Sequence, residues 1–305
     1  LSDNQIDGRA NPWWTDRQEE ADIAPRRKQS MVTTAQSVRV HRIDTGRVVL
    51  NVREIGEGPV AIFLHGITSN AAVWDPQILA LKDSLRCIAV DQRGHGLSDK
   101  PDTGYGAKDL AGDIVALIRS LNAGPAFIVG HSLGARNAVE AAVMAPDLVR
   151  GVVAIDFTPY IETEVLDQLA ARVNGGDRLF ESRKQIEEYL HGRYPLMPSQ
   201  AVSVRAASAY IEVPGGLRPL ASPKAMTQTA EGLREDLIPA FRSISRPTLI
   251  VRGALSKLVS AAALEKTRKL RPDLPVVVVD GVDHYVNEEA PEVMTKAIRD
   301  FASKN

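Results

Sequence analysis

For a hydroxyl to attack an acyl carbon, three things must converge: the hydroxyl, a histidine that takes its proton, and N–H donors for the oxyanion that develops. The stretch Gly130-His131-Ser132-Leu133-Gly134 offers the hydroxyl. It is a G-x-S-x-G set between an apolar run, "AFIV", and a helix-like segment, "ARNAVEAA". A serine on so sharp a strand-to-helix turn has strained backbone angles and tolerates no bulk two positions away on either side. A bare G-x-S-x-G is common by chance. This one lies about 65 residues after the "HG" that ends an earlier apolar run, "AIFLHGITSN", and the combination is far more specific.

The oxyanion donors are expected from the same two elements. One is the backbone N–H of Leu133 at the start of the helix, and the other is that of Ile67, just past His65-Gly66. His65 itself reads as a brace for the loop. Of the six histidines, His131 sits beside the serine but points away on the turn, His95 belongs to the turn "DQRGHGLSD", His41 lies near the N-terminal end and His191 lies mid-chain. His284, in "VVVVDGVDHYVNEEAPEVM", follows the last apolar run, where a loop can fold over Ser132, and is the candidate base.

Six short apolar runs position these residues: "VAIFLHG", "LRCIAVD", "AFIVGHS", "GVVAIDF", "PTLIVRG" and "PVVVVDG". Runs of four to six apolar residues without polar alternation suit strands buried on both faces. Amphipathic segments such as "AKDLAGDIVALIRSLN" lie between them, and "SVRVHRI" with "RVVLNVREIG" reads as an opening hairpin. The expected fold is α/β, a mostly parallel sheet flanked by helices. Nearly ninety residues separate "GVVAIDF" from "PTLIVRG", with helical pieces and no strong strand. A crossover needs far fewer, so this interval reads as an inserted helical cap over the strand ends. The expected division is a core of residues 35–157 and 243–305, a cap of 158–242, and a polar N-terminal extension of 1–34 containing Trp13 and Trp14. The extension has two readings, an added leader or a misassigned start before Met31.

Thirty-seven basic against thirty-eight acidic residues leave a formal charge of −1, so nothing global points to nucleic acid or an anionic membrane. No apolar run approaches the roughly 18 residues of a membrane span. The single cysteine, Cys87, reads as a buried small hydrophobe, excludes an internal disulfide and fits a reducing compartment such as the cytoplasm. Self-association into a homo-oligomer stays open.

Together "FLHG", "DQRGHGLSDKP", "VGHSLGA" and "VDHYVNEEAPEVM" resemble the α/β-hydrolase superfamily, in its branch of capped small-molecule hydrolases, over about residues 45–303. The resemblance implies a Ser-His-acid triad with no metal and no organic cofactor. It also exposes a departure. The triad acid of this superfamily most often follows the strand represented by "PTLIVRG", where this chain has Ala254, Leu255, Ser256 and Lys257. Relatives with the same departure carry the acid one strand earlier, which implies Asp156 at the end of "GVVAIDF"; Asp283 and Asp280 are the rivals.

Asp156, the "HGITSN" loop and a cap rich in arginine resemble one small subgroup of amidohydrolases within that branch. This resemblance implies a small dicarboxylate substrate bearing an N-acetyl enamine, with Arg172, Arg193 and Tyr194 holding its carboxylates. Two alternatives remain: a carboxylesterase or carbon–carbon bond hydrolase with the same triad, and a non-catalytic ligand receptor that keeps the fold.

Overall fold

The computed structural model describes residues 37–305. The N-terminal extension, with Trp13 and Trp14, lies outside the described residues. Ten strands are present among them: β1 (Arg39–Asp44), β2 (Val49–Ile55), β3 (Val60–Leu64), β4 (Arg86–Val90), β5 (Ala126–His131), β6 (Val149–Ile155), β7 (Tyr210–Val213), β8 (Gly216–Pro219), β9 (Thr248–Gly253) and β10 (Val276–Val279). Eight of them form one sheet in the order β1-β2-β4-β3-β5-β6-β9-β10. β2 runs antiparallel to both neighbours, and the remaining pairs are parallel.

The continuous apolar runs divide between two faces because successive strand side chains point opposite ways. In β3, Val60, Ile62 and Leu64 join one core cluster, while Ala61 and Phe63 join the other. Ile128 and Phe127 of β5 separate in the same way, as do Ala154 and Val153 of β6. The first cluster is closed by α2 (Ala107–Leu121) and α3 (Leu133–Met144), the second by α1 (Asp75–Leu81) and, at the C-terminus, Met294, Ile298 and Phe301. Cys87 lies inside the second cluster, and burial pushes its thiol up to about 12. Among the described residues no helix is long and apolar enough to cross a membrane.

Between β6 and β9 lie α4 (Thr163–Asn174), α5 (Arg183–Arg193), α6 (Ser199–Ser208), α7 (Pro223–Gly232) and α8 (Ile238–Ser243). Two features refine the expected, mostly helical cap of 158–242. The end of "SQAVSVRAASAYIEV" leaves its helix at Ala209 and forms the β7–β8 hairpin, whose Gly215 and Gly216 take φ of 93° and 147°, values open to glycine. And α8 packs into the core, with Phe241 fully buried 5.9 Å from the Phe157 ring, so the segment covering the strand ends stops before Leu237. The C-terminal quarter supplies α9 (Ala261–Leu270), α10 (Val286–Glu289) and α11 (Pro291–Ala302).

Glycine is required where α3 leaves β5. A Cβ on Gly134 would stand 2.2 Å from the Leu64 carbonyl oxygen, and one on Gly130 would stand 2.3 Å from the Gly134 carbonyl carbon. Gly192, inside α5, has nothing within 4 Å of such a Cβ. In thermal melts Gly134→Ala is expected to lose at least about 1–3 kcal/mol. Gly192→Ala should match or exceed the wild-type Tm, because alanine is the better helix former.

Candidate active site

Four neighbouring strands, β5, β6, β9 and β10, end at one edge of the sheet, and each delivers part of a single cluster. Ser132 follows β5 with φ 53°, and its N–H donates to the Ile155 carbonyl at 2.8 Å. Asp156 follows β6 with φ 47°, and its N–H donates to the Val251 carbonyl at 2.7 Å. Positive φ in a non-glycine residue costs on the order of 1–3 kcal/mol, and here one extra cross-strand bond holds each turn in place. Both side chains are thereby lifted off the sheet edge.

His284 arrives on the loop after β10. Its Nδ1–H donates to Asp156 Oδ2 at 2.6 Å, which leaves Nε2 of the neutral ring with a free lone pair. The loop is fixed by its own main chain: His284 N donates to Asp283 Oδ1 at 2.8 Å, Asp283 N donates to Glu289 Oε2 at 2.7 Å, and His131 Nε2 donates to the His284 carbonyl at 2.8 Å. Burial, then the nearby His284, hold His131 well below the usual imidazole range, so it acts as a neutral donor. Among the described residues Ser132 Oγ and His284 make no direct hydrogen bond; such bonds are often long without substrate.

Asp156 is fully buried and accepts three bonds. Besides His284, Gly253 N donates to Oδ1 at 3.0 Å and Ser256 Oγ donates to Oδ2 at 2.6 Å. The segment after β9 that lacks an acid therefore carries a donor for the acid that stands one strand away. Arg252 shapes that segment, with its guanidinium donating to the carbonyls of Val259 at 2.7 Å, Ala254 at 3.2 Å and Ser256 at 3.3 Å. Asp283 is occupied with main-chain N–H groups, including that of Lys257 at 3.2 Å. Asp280 is exposed and off the cluster.

Ile67 and Leu133 flank this centre. Among the described residues neither N–H is bonded to another main-chain group, and Leu133 is the first residue of α3, where the helix dipole adds to the donor. The loop below Ile67 is held by His65, whose Nε2 accepts from Gln92 N at 3.1 Å while Nδ1 donates to the Gly66 carbonyl at 2.8 Å.

The cap covers the cluster with two cavities that share Arg172, Arg193 and Tyr194. One runs along Thr68, Ser69 and Asn70, next to Ile67; the other is bounded by His284, Tyr285 and Lys257. Ser132, only 5% exposed, lines neither. Arg193 is steadied by Tyr194 Oη at 3.0 Å and Tyr189 Oη at 2.8 Å. Tyr194 is buried; burial raises its hydroxyl, but Arg205 and Arg193 outweigh burial and bring it below the usual range.

Sequence reasoning had not singled out Ser256 or Arg252, or the buried pair of Arg205 and Glu288. Arg205 Nε and Nη2 donate to the two Glu288 oxygens at 2.7 and 2.5 Å, tying α6 of the cap to α10 beside His284. The partners stand 83 residues apart, so no local pattern joins them.

Residues 61–297 match the alpha/beta hydrolase family, and the chain belongs to it. It is 65% identical over 260 residues to the 2-(acetamidomethylene)succinate hydrolase of Mesorhizobium japonicum, a match that spans 85% of this chain and 94% of that protein. It also superimposes on a crystal structure of E-2-(acetamidomethylene)succinate hydrolase with a TM-score of 0.86 and 63% identity, over 88% of this chain and 100% of that one. An esterase of Mycobacterium tuberculosis is 28% identical over 273 residues, 85% of this chain and 88% of the esterase.

Two buried histidines at the strand ends make stability depend on acid. Burial lowers His65 to about 4 and His95 to about 3, and their rings lie 4.9 Å apart. Below about pH 6.5 the unfolded chain takes up these protons while the folded one does not, so stability is complete above that pH and falls as pH drops toward 4. Urea denaturation at pH 7.5 and pH 4.5 should show the lower midpoint at pH 4.5.

Proposed function

We propose that this hydrolase removes the N-acetyl group of (E)-2-(acetamidomethylene)succinate. The observation that carries the reading is the charge balance of the cavity beside the oxyanion loop. Three arginines and one aspartate line it. Arg205 is matched by Glu288, and Asp177 is matched by Arg218 at 2.5 Å. Arg172 and Arg193 are left without a carboxylate partner among the described residues. Two cations that the protein does not neutralise suit a small dianion, and arginine's planar fork suits carboxylates in particular. The names of the two relatives above 60% identity support the same substrate.

In the proposed reaction His284 Nε2 takes the proton of Ser132, and Oγ attacks the acetyl carbonyl. The N–H groups of Ile67 and Leu133 stabilise the oxyanion, each worth roughly 3 kcal/mol in comparable sites. Asp156 holds the ring tautomer and stabilises the imidazolium. The imidazolium then protonates the enamine nitrogen as the C–N bond breaks. Conjugation with the alkene makes this amine a better leaving group than an alkyl amine. Water activated by the same histidine releases acetate from the acyl-serine. The freed aminomethylene acid takes up water, loses ammonia and then carbon dioxide, and leaves succinic semialdehyde, consistent with a step in vitamin B6 breakdown. Arg172, Arg193 and Tyr194 bind the substrate through its carboxylate charge, no cofactor takes part, and the lone buried cysteine supports a cytoplasmic location.

The test is acetate release from the N-acetyl enamine dicarboxylate compared with hydrolysis of p-nitrophenyl acetate. Ser132→Ala should lower kcat by on the order of 10⁶-fold. Arg172→Ala and Arg193→Ala should each lower the ratio of kcat/KM for the dicarboxylate over the neutral ester by about tenfold or more. Ester turnover without any turnover of the dicarboxylate would refute the reading and favour a general esterase.

A further inference from the structure

The loop that carries the Ile67 N–H also carries a hydroxyl with nothing to do. Ser69 lines the cavity with Arg172 and Arg193, is 5% exposed, and its Oγ has no hydrogen-bond partner among the described residues. Its main chain is pinned on both sides. Ser69 N donates to the Gly66 carbonyl at 3.2 Å, and the next residue, Asn70, donates through Nδ2 to the Ser208 carbonyl at the end of α6 at 2.6 Å. Asn70 Oδ1 also accepts from Ala72 N at 3.1 Å. The position of the hydroxyl is thus set by the core and by the cap together. A buried hydroxyl without a partner is destabilising, a cost that a bound acceptor would remove.

Arg205 faces the same cavity in the same condition. It is 5% exposed, Glu288 takes its Nε and Nη2, and Nη1 has no partner among the described residues. The guanidinium is fixed between the rings of Tyr194 and Tyr285, with Cζ 5.2 and 4.8 Å from their centroids. With its charge matched by Glu288, Arg205 brings a directed N–H more than a net charge. Arg193 meanwhile spends donors on Tyr194, Tyr189 and, at 3.5 Å, the Arg172 carbonyl, and is held on the cap side of the cavity.

We propose that Ser69 Oγ and Arg205 Nη1 form a second carboxylate-binding point in this cavity, taking one carboxylate of the dianion while Arg172 and Arg193 take the other. The inference rests on the dicarboxylate reading above and divides its two charges between the oxyanion-loop wall and the cap wall. The division fixes which way round the substrate lies: the carboxylate bound beside Ser69 is held by the loop that also bears the oxyanion donor at Ile67. Discrimination against monocarboxylates follows, since such a ligand would leave one of the two points unfilled.

Calorimetric titration tests this with itaconate, a dicarboxylate of the same length without the acetamido group, and methacrylate, its monocarboxylate counterpart. Ser69→Ala is expected to weaken itaconate binding about tenfold while methacrylate binding, served by Arg172 and Arg193, changes little. Ser69→Cys, close in size and a weaker donor, should fall between wild type and Ser69→Ala, with thermal melts of all three agreeing. Equal Kd values for itaconate in wild type and Ser69→Ala, equal weakening of both ligands, or no itaconate binding by wild type would overturn the proposal. Acetate release from the N-acetyl enamine dicarboxylate by wild type is measured separately. Its absence would refute the proposed substrate, while the itaconate comparison still decides the role of Ser69.

Discussion

Everything at the strand ends turns on the 2.6 Å hydrogen bond from His284 Nδ1 to Asp156 Oδ2. It is made in full burial, where a carboxylate is costly unless donors surround it. Two elements supply those donors to the acid at the end of β6: β9 and the turn after it offer Gly253 N and Ser256 Oγ, and the loop after β10 offers the imidazole. The sheet order β5-β6-β9-β10 sets Asp156 between the strand that ends at Ser132 and β9, with β10 one strand further on. Shifting the acid to the end of β6 therefore keeps the imidazole within reach without moving any strand.

The cap contributes charge where the core contributes reactivity. Two of its arginines make ordinary ion pairs at the surface, Arg218 with Asp177 and Arg234 with Asp167. Such pairs add little to stability. Three others line the cavity, Arg172, Arg193 and Arg205, and the last two are fixed there against tyrosine rings. The Arg205–Glu288 pair is buried at both ends and joins the cap to the helix that follows His284, so the cavity wall and the His284 loop share one support.

Much of this was legible in the amino-acid order. Apolar runs without alternation gave away the parallel strands, and the glycines of G-x-S-x-G are explained by backbone atoms 2.2 to 2.3 Å from where a Cβ would stand. The empty run Ala254 to Lys257 led to Asp156 only through the resemblance to relatives whose acid stands one strand earlier, and the residues alone left Asp283 and Asp280 open. Other features were invisible for physical reasons. Ser256 reads as any loop serine until the strand order brings it 2.6 Å from an aspartate 100 residues earlier. The β7–β8 hairpin has strands of four residues with an exposed Ile211, too short and too wet to show a period. α8 looked like part of the cap because amphipathic helices carry no mark of which surface they will cover.

The most direct measurement of the central claim is the low-field proton spectrum of the imidazole. An Nδ1 proton shared with a buried carboxylate should appear far downfield in wild type at low pH, disappear in Asp156→Asn and persist in Asp283→Asn. A signal that survives Asp156→Asn, or vanishes with Asp283→Asn instead, would show that the acid paired with His284 is not the one at the end of β6.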